Sequence, residues 1–182
     1  ARPGDMNYAS GATGSANHLS AELFKAMAKV DIVRVVYNGQ GPAILALMSG
    51  EIDLFVTQIG GAINQVRAGK IRAYAVTAKN RQAAAPEIPS VDEAGLPGLH
   101  TAVWHGVWAP AKTPRDTITK LNAAFVETLA DPMVKARFSD IGQEIPPREE
   151  QTVQAHAKYH KAEIDKWWPL IKAAGLKAEP EK

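Results

Sequence analysis

The chain contains no cysteine, which excludes disulfides, thiolate metal sites and a cysteine nucleophile while leaving the redox compartment open. An excess of either charge is also missing. With 21 Lys and Arg against 19 Asp and Glu the formal net charge is +2, so no broad electrostatic footprint argues for nucleic acid or an acidic membrane surface. Long hydrophobic runs are lacking too, and nothing approaches the roughly 20 apolar residues that cross a bilayer as a helix. The start, Ala1-Arg2-Pro3-Gly4, has neither an initiator methionine nor a signal segment, as expected of a processed or trimmed product.

Chemical motifs are equally sparse. The glycine-rich stretch around Gly14 is followed by Ser15-Ala16 rather than Lys-Ser or Lys-Thr, so it is no nucleotide loop of the GxxxxGK[ST] type. His156 and His160 stand four apart on one helix face, but the intervening glutamate of H-E-x-x-H and a third ligand are absent, and no metal is expected. Ser15, His18 and Asp53 make a catalytic triad only on paper, because no G-x-S-x-G elbow occurs. No catalytic residue and no cofactor are expected.

What is present is an alternation of strand and helix patterns. Hydrophobic residues make up 46% of 182, enough to bury a sizeable core. Strand patterns at Met6 to Ala9, Ile32 to Tyr37, Asp53 to Thr57 and Ala73 to Thr77 alternate with helix patterns at Ser15 to Lys29, Pro42 to Ser49 and Gly60 to Ala68. Such a series predicts an α/β fold with a mainly parallel sheet. In the first helix Leu19, Leu23, Phe24 and Met27 share one face, which should lie on that sheet. Residues 78–99, with Pro86, Pro89 and Pro97, read as a surface connection with a short helical piece at Val91 to Ala94.

The second half reads differently. Ala102 to Pro110 is a strand pattern bent at Gly106, helices are expected at Arg115 to Leu129, Met133 to Ser139 and Glu149 to Ala174, and Gln143 to Pro146 is a weak strand. Asp131-Pro132 separates the first two helices, Gly175 caps the last, and Glu179 to Lys182 should fray. Trp167 and Trp168 are adjacent and must face different sides of their helix, one in a core and one at a surface. The helices after residue 110 have too little sheet of their own to cover them. Either they fold back on the first sheet or a further segment of chain supplies the strands.

In a parallel sheet the strand-to-helix loops all emerge at the carboxyl ends of the strands, where ligands bind. Three loops should therefore converge. The first, Ser10-Gly11-Ala12-Thr13-Gly14-Ser15, opens a helix whose leading N–H groups have no internal partner, so a carboxylate fits there without a basic side chain. Tyr37, Asn38 and Gly39 of the second loop and Thr57 of the third are the other candidate contacts. Each also has a bland explanation, since a tight turn needs small residues and Gly39 supplies positive φ. His18, in the first turn, is expected to satisfy a local hydrogen bond.

The ordered motifs Tyr8 to Leu19 with Glu22-Leu23-Phe24, Val36 to Ala43, Gly50 to Leu54, Ala68 to Thr77 and Pro89 to Gly98 resemble the Bug/TctC solute-binding proteins of tripartite tricarboxylate transporters. Trp104, Gly106, Ala109-Pro110, Thr113-Pro114 and Leu121-Asn122 extend the resemblance over nearly the whole chain. It implies a type II periplasmic-binding-protein fold, a periplasmic location, a small carboxylate ligand and a membrane permease as partner. The ligand class includes di- and tricarboxylates, aromatic carboxylates and amino acids. By the same resemblance residues 1–103 are a complete α/β ligand-binding lobe, 104–110 an inter-lobe crossing strand, and 111–182 the C-terminal, mostly helical part of the other lobe.

That lobe's N-terminal stretch, and with it one wall of the cleft, is then missing. The competing expectation is a truncated form that binds no solute and self-associates through the lobe surface left bare. Departures from the family pattern fall at Asn38, where members usually carry Lys, at Thr57, often Asp, and at His105, usually aromatic. The first two changes offset in sign, one removing a cation and the other an anion.

Overall fold

Helix and strand positions follow the sequence pattern closely over the first 70 residues of the computed structural model, which describes residues 3–177. Strand β1 (Asn7–Ser10) leads into α1 (Ala16–Ala28), β2 (Val33–Val36) into α2 (Gln40–Ser49), and β3 (Leu54–Phe55) into α3 (Ile59–Arg67). The sheet is parallel with order β2-β1-β3. Central β1 is the most deeply buried strand, as a parallel sheet covered on both faces requires.

Alternate side chains of β1 enter two separate cores. Tyr8 packs with Ala21 of α1, Ile32 and Leu54, whereas Ala9 packs with Ala43 and Ala46 of α2, Ile52 and Phe55. The period of two along the strand thus sends one residue to each helical layer. On α1 the deepest residues are His18, Ser20 and Ala21 rather than the larger Leu19, Leu23 and Phe24, because small side chains let the helix come closest to the sheet. The Tyr8 hydroxyl donates to Glu22 Oε1 at 2.7 Å. Burial first, then that bond, holds the phenol far above its ordinary value. Burial pushes the Glu22 carboxyl up, but Tyr8 and Lys25 outweigh it and the net shift is downward.

Several sequence expectations need correction. The fourth strand, Ala73 to Thr77, contributes only a single parallel bridge, Val76 to Ser90. The segment after it is no mere surface connection, since Ala85, Ile88, Val91 and Leu99 are all buried. Its prolines interrupt regular structure, yet local bonds serve its backbone instead: Ser90 N–H donates to Glu93 Oε2 (2.8 Å) and Glu93 N–H to Ser90 Oγ (3.3 Å), a reciprocal capping box. Residues 91–95 form turns rather than a helix.

The chain divides into two units, residues 1–103 with 167–182, and residues 104–166. In the second, α4 (Arg115–Ala130) and α5 (Pro132–Asp140) are separated as expected at Asp131, whose carboxylate accepts from the N–H groups of Met133 and Val134. A 3-10 turn at Arg148–Glu150 precedes α6 (Val153–Ala173), and Gly175 just beyond it has φ 63°. Neither 102–110 nor 143–146 forms a strand; both are irregular chain. Gly106 is there for close approach rather than for a bend: a Cβ would collide with His156 Nε2 and Trp108. Trp104 meets Tyr159 edge-on at 5.3 Å, and Trp108 meets His156 at 4.9 Å. The expected fraying of Glu179 to Lys182 concerns residues outside those described.

Candidate ligand site at the carboxyl ends of the sheet

Three helices begin where the three parallel strands end, so their N-termini gather at one edge of the sheet. Side-chain capping distinguishes them. Ser15 caps α1, its Oγ accepting from His18 N–H, whereas Gly39 before α2 and Gln58 before α3 make no side-chain cap bond. Leading amides of α2 and α3 are therefore uncommitted by any cap, and those of Ala16 and Asn17 have no acceptor within their own helix.

Side chains stitch the loops together. Asn17 Nδ2 donates to Val56 O at 2.6 Å, tying the start of α1 to the end of β3. Gln40 Nε2 donates to Thr57 Oγ1 (2.6 Å) and Gln58 O (3.1 Å), tying the second loop to the third. Gly61 leaves room for this strap, since a Cβ there would run into the Gln40 amide. From β2, Arg34 reaches the first loop: Nε donates to Ser10 Oγ (2.6 Å), Nη1 to Thr13 Oγ1 (3.1 Å) and Nη2 to Gly11 O (2.7 Å).

The expected contacts accordingly take different positions. Gly11, Ala12, Thr13, Gly14 and Ser15 form the exposed or half-buried turn, with Ser15 N–H donating to Ala12 O at 3.0 Å. Ser10 is 1% exposed and its hydroxyl is engaged by Arg34 and Gly11 O, which makes it a bolt beneath the loop. Gly14 has φ +81°, a conformation that disfavours any side chain. Its N–H is already committed, to His18 Nδ1 at 3.2 Å. His18, 3% exposed, is thus an acceptor at Nδ1, and burial followed by the Arg34 charge disfavours its protonation. Asn38 and Gly39 are exposed and Thr57 is half-buried, with its hydroxyl proton available because Oγ1 accepts from Gln40.

Tyr37 spans both ends of the sheet. Its hydroxyl donates to Glu51 Oε1 at 2.9 Å, and Glu51 precedes β3, so the side chain runs back toward the amino end of the strands. Only its backbone stands at the loop edge.

Reading the sequence for loops missed Asn17, Arg34 and Gln40. The signal for Arg34 was available: a lone charge inside the β-branched run Ile32-Val33-Arg34-Val35-Val36 must find acceptors when half-buried.

The family model for the tripartite tricarboxylate transporter family receptor (TctC) matches residues 1–176. The chain belongs to this family. An Agrobacterium vitis relative, the UPF0065 protein in the TAR-I ttuE-ttuC' intergenic region, is 35% identical over 170 residues, covering 93% of this chain and 49% of the relative. Protein BugT of Bordetella pertussis is 29% identical, covering 97% and 53%. The chain thus spans about half the length of these curated relatives.

Among solved structures, MatC of Rhodopseudomonas palustris with bound malate superposes at TM-score 0.82 with 34% identity, over 92% of this chain and 57% of that one. R. palustris Rpa4515 with adipate gives 0.80 and 33%, over 96% and 57%. The periplasmic binding protein BugD gives 0.83 and 30%, over 98% and 59%. These TctC neighbours are solute-binding proteins rather than enzymes. Within the described residues, no helix of this TctC chain is long and apolar enough to cross a membrane.

Proposed function

We propose that this TctC chain captures a small carboxylate outside the cytoplasm for a tripartite tricarboxylate transporter, residues 1–103 forming the ligand lobe and 111–182 part of the other. The observation that carries this reading is the gathering of three helix N-termini over one sheet edge, two of them without a side-chain cap. Donors held rigid before the ligand arrives avoid the ordering cost of binding. Malate and adipate in the two relatives support a dicarboxylate over the aromatic or amino-acid alternatives. The partner is the transporter's membrane permease, and the compartment is the periplasm.

Calorimetry with malate, adipate, citrate, benzoate and glutamate tests the reading. A heat of binding from at least one is expected, and none from any would overturn it. Gly14→Val forces a β-branched residue to φ +81° and should weaken binding by about 10-fold or more. An unchanged affinity would remove the first loop from the site.

A second reading has its own observation. Not one residue of 104–166 is buried, while Leu121, Phe125, Met133, Ile141 and Ile164 are all substantially exposed. Apolar surface of that kind favours self-association. Light scattering on the same samples decides it: concentration-dependent dimers without a carboxylate response would put this reading first.

A further inference from the structure

We propose that Arg34 is the cation of the site, setting the Gly11 to Thr13 turn and supplying the charge that a ligand carboxylate neutralises. This rests on the carboxylate reading above and adds to it a residue outside the three loops.

Arg34 is half-buried in β2 and spends one donor from each guanidinium nitrogen on the first loop. All three acceptors are neutral, two hydroxyls and a carbonyl. Among the described residues no carboxylate pairs with it, and Glu22 on α1 is engaged by Tyr8 and Lys25. A cation partly withdrawn from water with only neutral partners has a field less screened than that of one in open solvent. His18, which senses that field beside the same loop, is shifted in the corresponding direction.

A guanidinium has five N–H donors, so two are left after the loop is served. An arriving carboxylate supplies the missing counter-ion where helix amides already favour negative charge. Lysine cannot substitute fully. It brings a point charge but not the planar fork that reaches Ser10, Gly11 and Thr13 together.

Calorimetry with malate and its neutral analogue malamide separates charge from shape, with Arg34→Met and Arg34→Lys each checked by thermal melting. Arg34→Met should lose malate affinity by about 30-fold, and Arg34→Lys by less, since hydrogen bonds to charged groups carry effects of this size. Whatever affinity malamide has should be far less sensitive to Arg34→Met. Equal losses for malate and malamide would reduce Arg34 to shaping the loop and overturn the counter-charge role. Unchanged malate binding in Arg34→Met would overturn the proposal while leaving the carboxylate reading intact. A wild-type chain that binds neither malate nor any other carboxylate would remove that reading, and the counter-charge role with it.

Discussion

Residues 3–103 and residues 104–166 draw on the same kinds of apolar residue but use them differently. The first stretch closes two cores around β1, with Tyr8, Ala9 and Ala21 fully excluded from water. The second keeps every residue at least partly exposed, and its aromatic rings gather in a cluster of Trp104, Trp108, His156, Tyr159 and His160. Sheet geometry accounts for the difference. A strand buried on both faces gives each neighbouring helix a floor, whereas α4 and α5 have no sheet within their own unit. About 60 residues without a buried floor lie at the lower limit of independent stability.

The largest effect should come from the core. Ile52 is 2% exposed and packs against Ala9, Ala43 and Ala46, so Ile52→Ala should destabilise by about 2–5 kcal/mol in urea unfolding followed by circular dichroism. Leu121→Ala, at a half-exposed position of α4, should cost under about 1 kcal/mol. Equal losses would break the contrast between the units. Ser15→Ala comes next: it removes the only side-chain cap among the three gathered helix starts and should cost about 1 kcal/mol. An unaltered unfolding midpoint would show that the cap adds nothing beyond the Ser15 backbone turn.

Protonation sharpens the same comparison. The folded-state value of His18 lies below that of the unfolded chain, through burial first and Arg34 second. The unfolded chain therefore binds more protons just below about pH 6.5, so this contribution is complete above that pH and is lost as pH falls. His18→Asn keeps an acceptor near Gly14 N–H but cannot titrate. Thermal melts between pH 7.5 and 5.5 should show a steeper decline for wild type than for the variant. Parallel profiles would mean that burial of His18 does not set the acid response of the first unit.

How much of this was legible in the sequence depended on whether the signal was local. The small-residue turn around Gly14, the positive φ of Gly39 and the break at Asp131-Pro132 act within a few residues, and the elements they delimit appear where expected. The straps were not legible, because Asn17 to Val56 and Arg34 to Ser10 join positions tens of residues apart. Tyr37 illustrates the limit. Its place at a strand's carboxyl end is legible locally, whereas the reach of its long side chain to Glu51 at the opposite end is not. The buried Ile88 and Leu99 were hidden by a proline-rich setting whose turns satisfy their backbone locally.

The smallest effect should come from Lys161 and Asp165, one turn apart on α6 and 2.8 Å from each other. Their side chains are 75% and 62% exposed, so water screens the attraction and ordering two long side chains offsets most of what remains. Lys161→Ala should change stability by less than about 0.5 kcal/mol in urea unfolding. The measurement matters because a unit without a buried floor relies more on surface pairs, caps and its aromatic cluster. A loss above about 1 kcal/mol would mean that charge pairs on α6 do for this unit what burial does for the other. A negligible loss leaves the aromatic cluster around Trp104 as its chief internal support, and makes covering of the exposed Leu121, Phe125 and Met133 faces the condition for its stability.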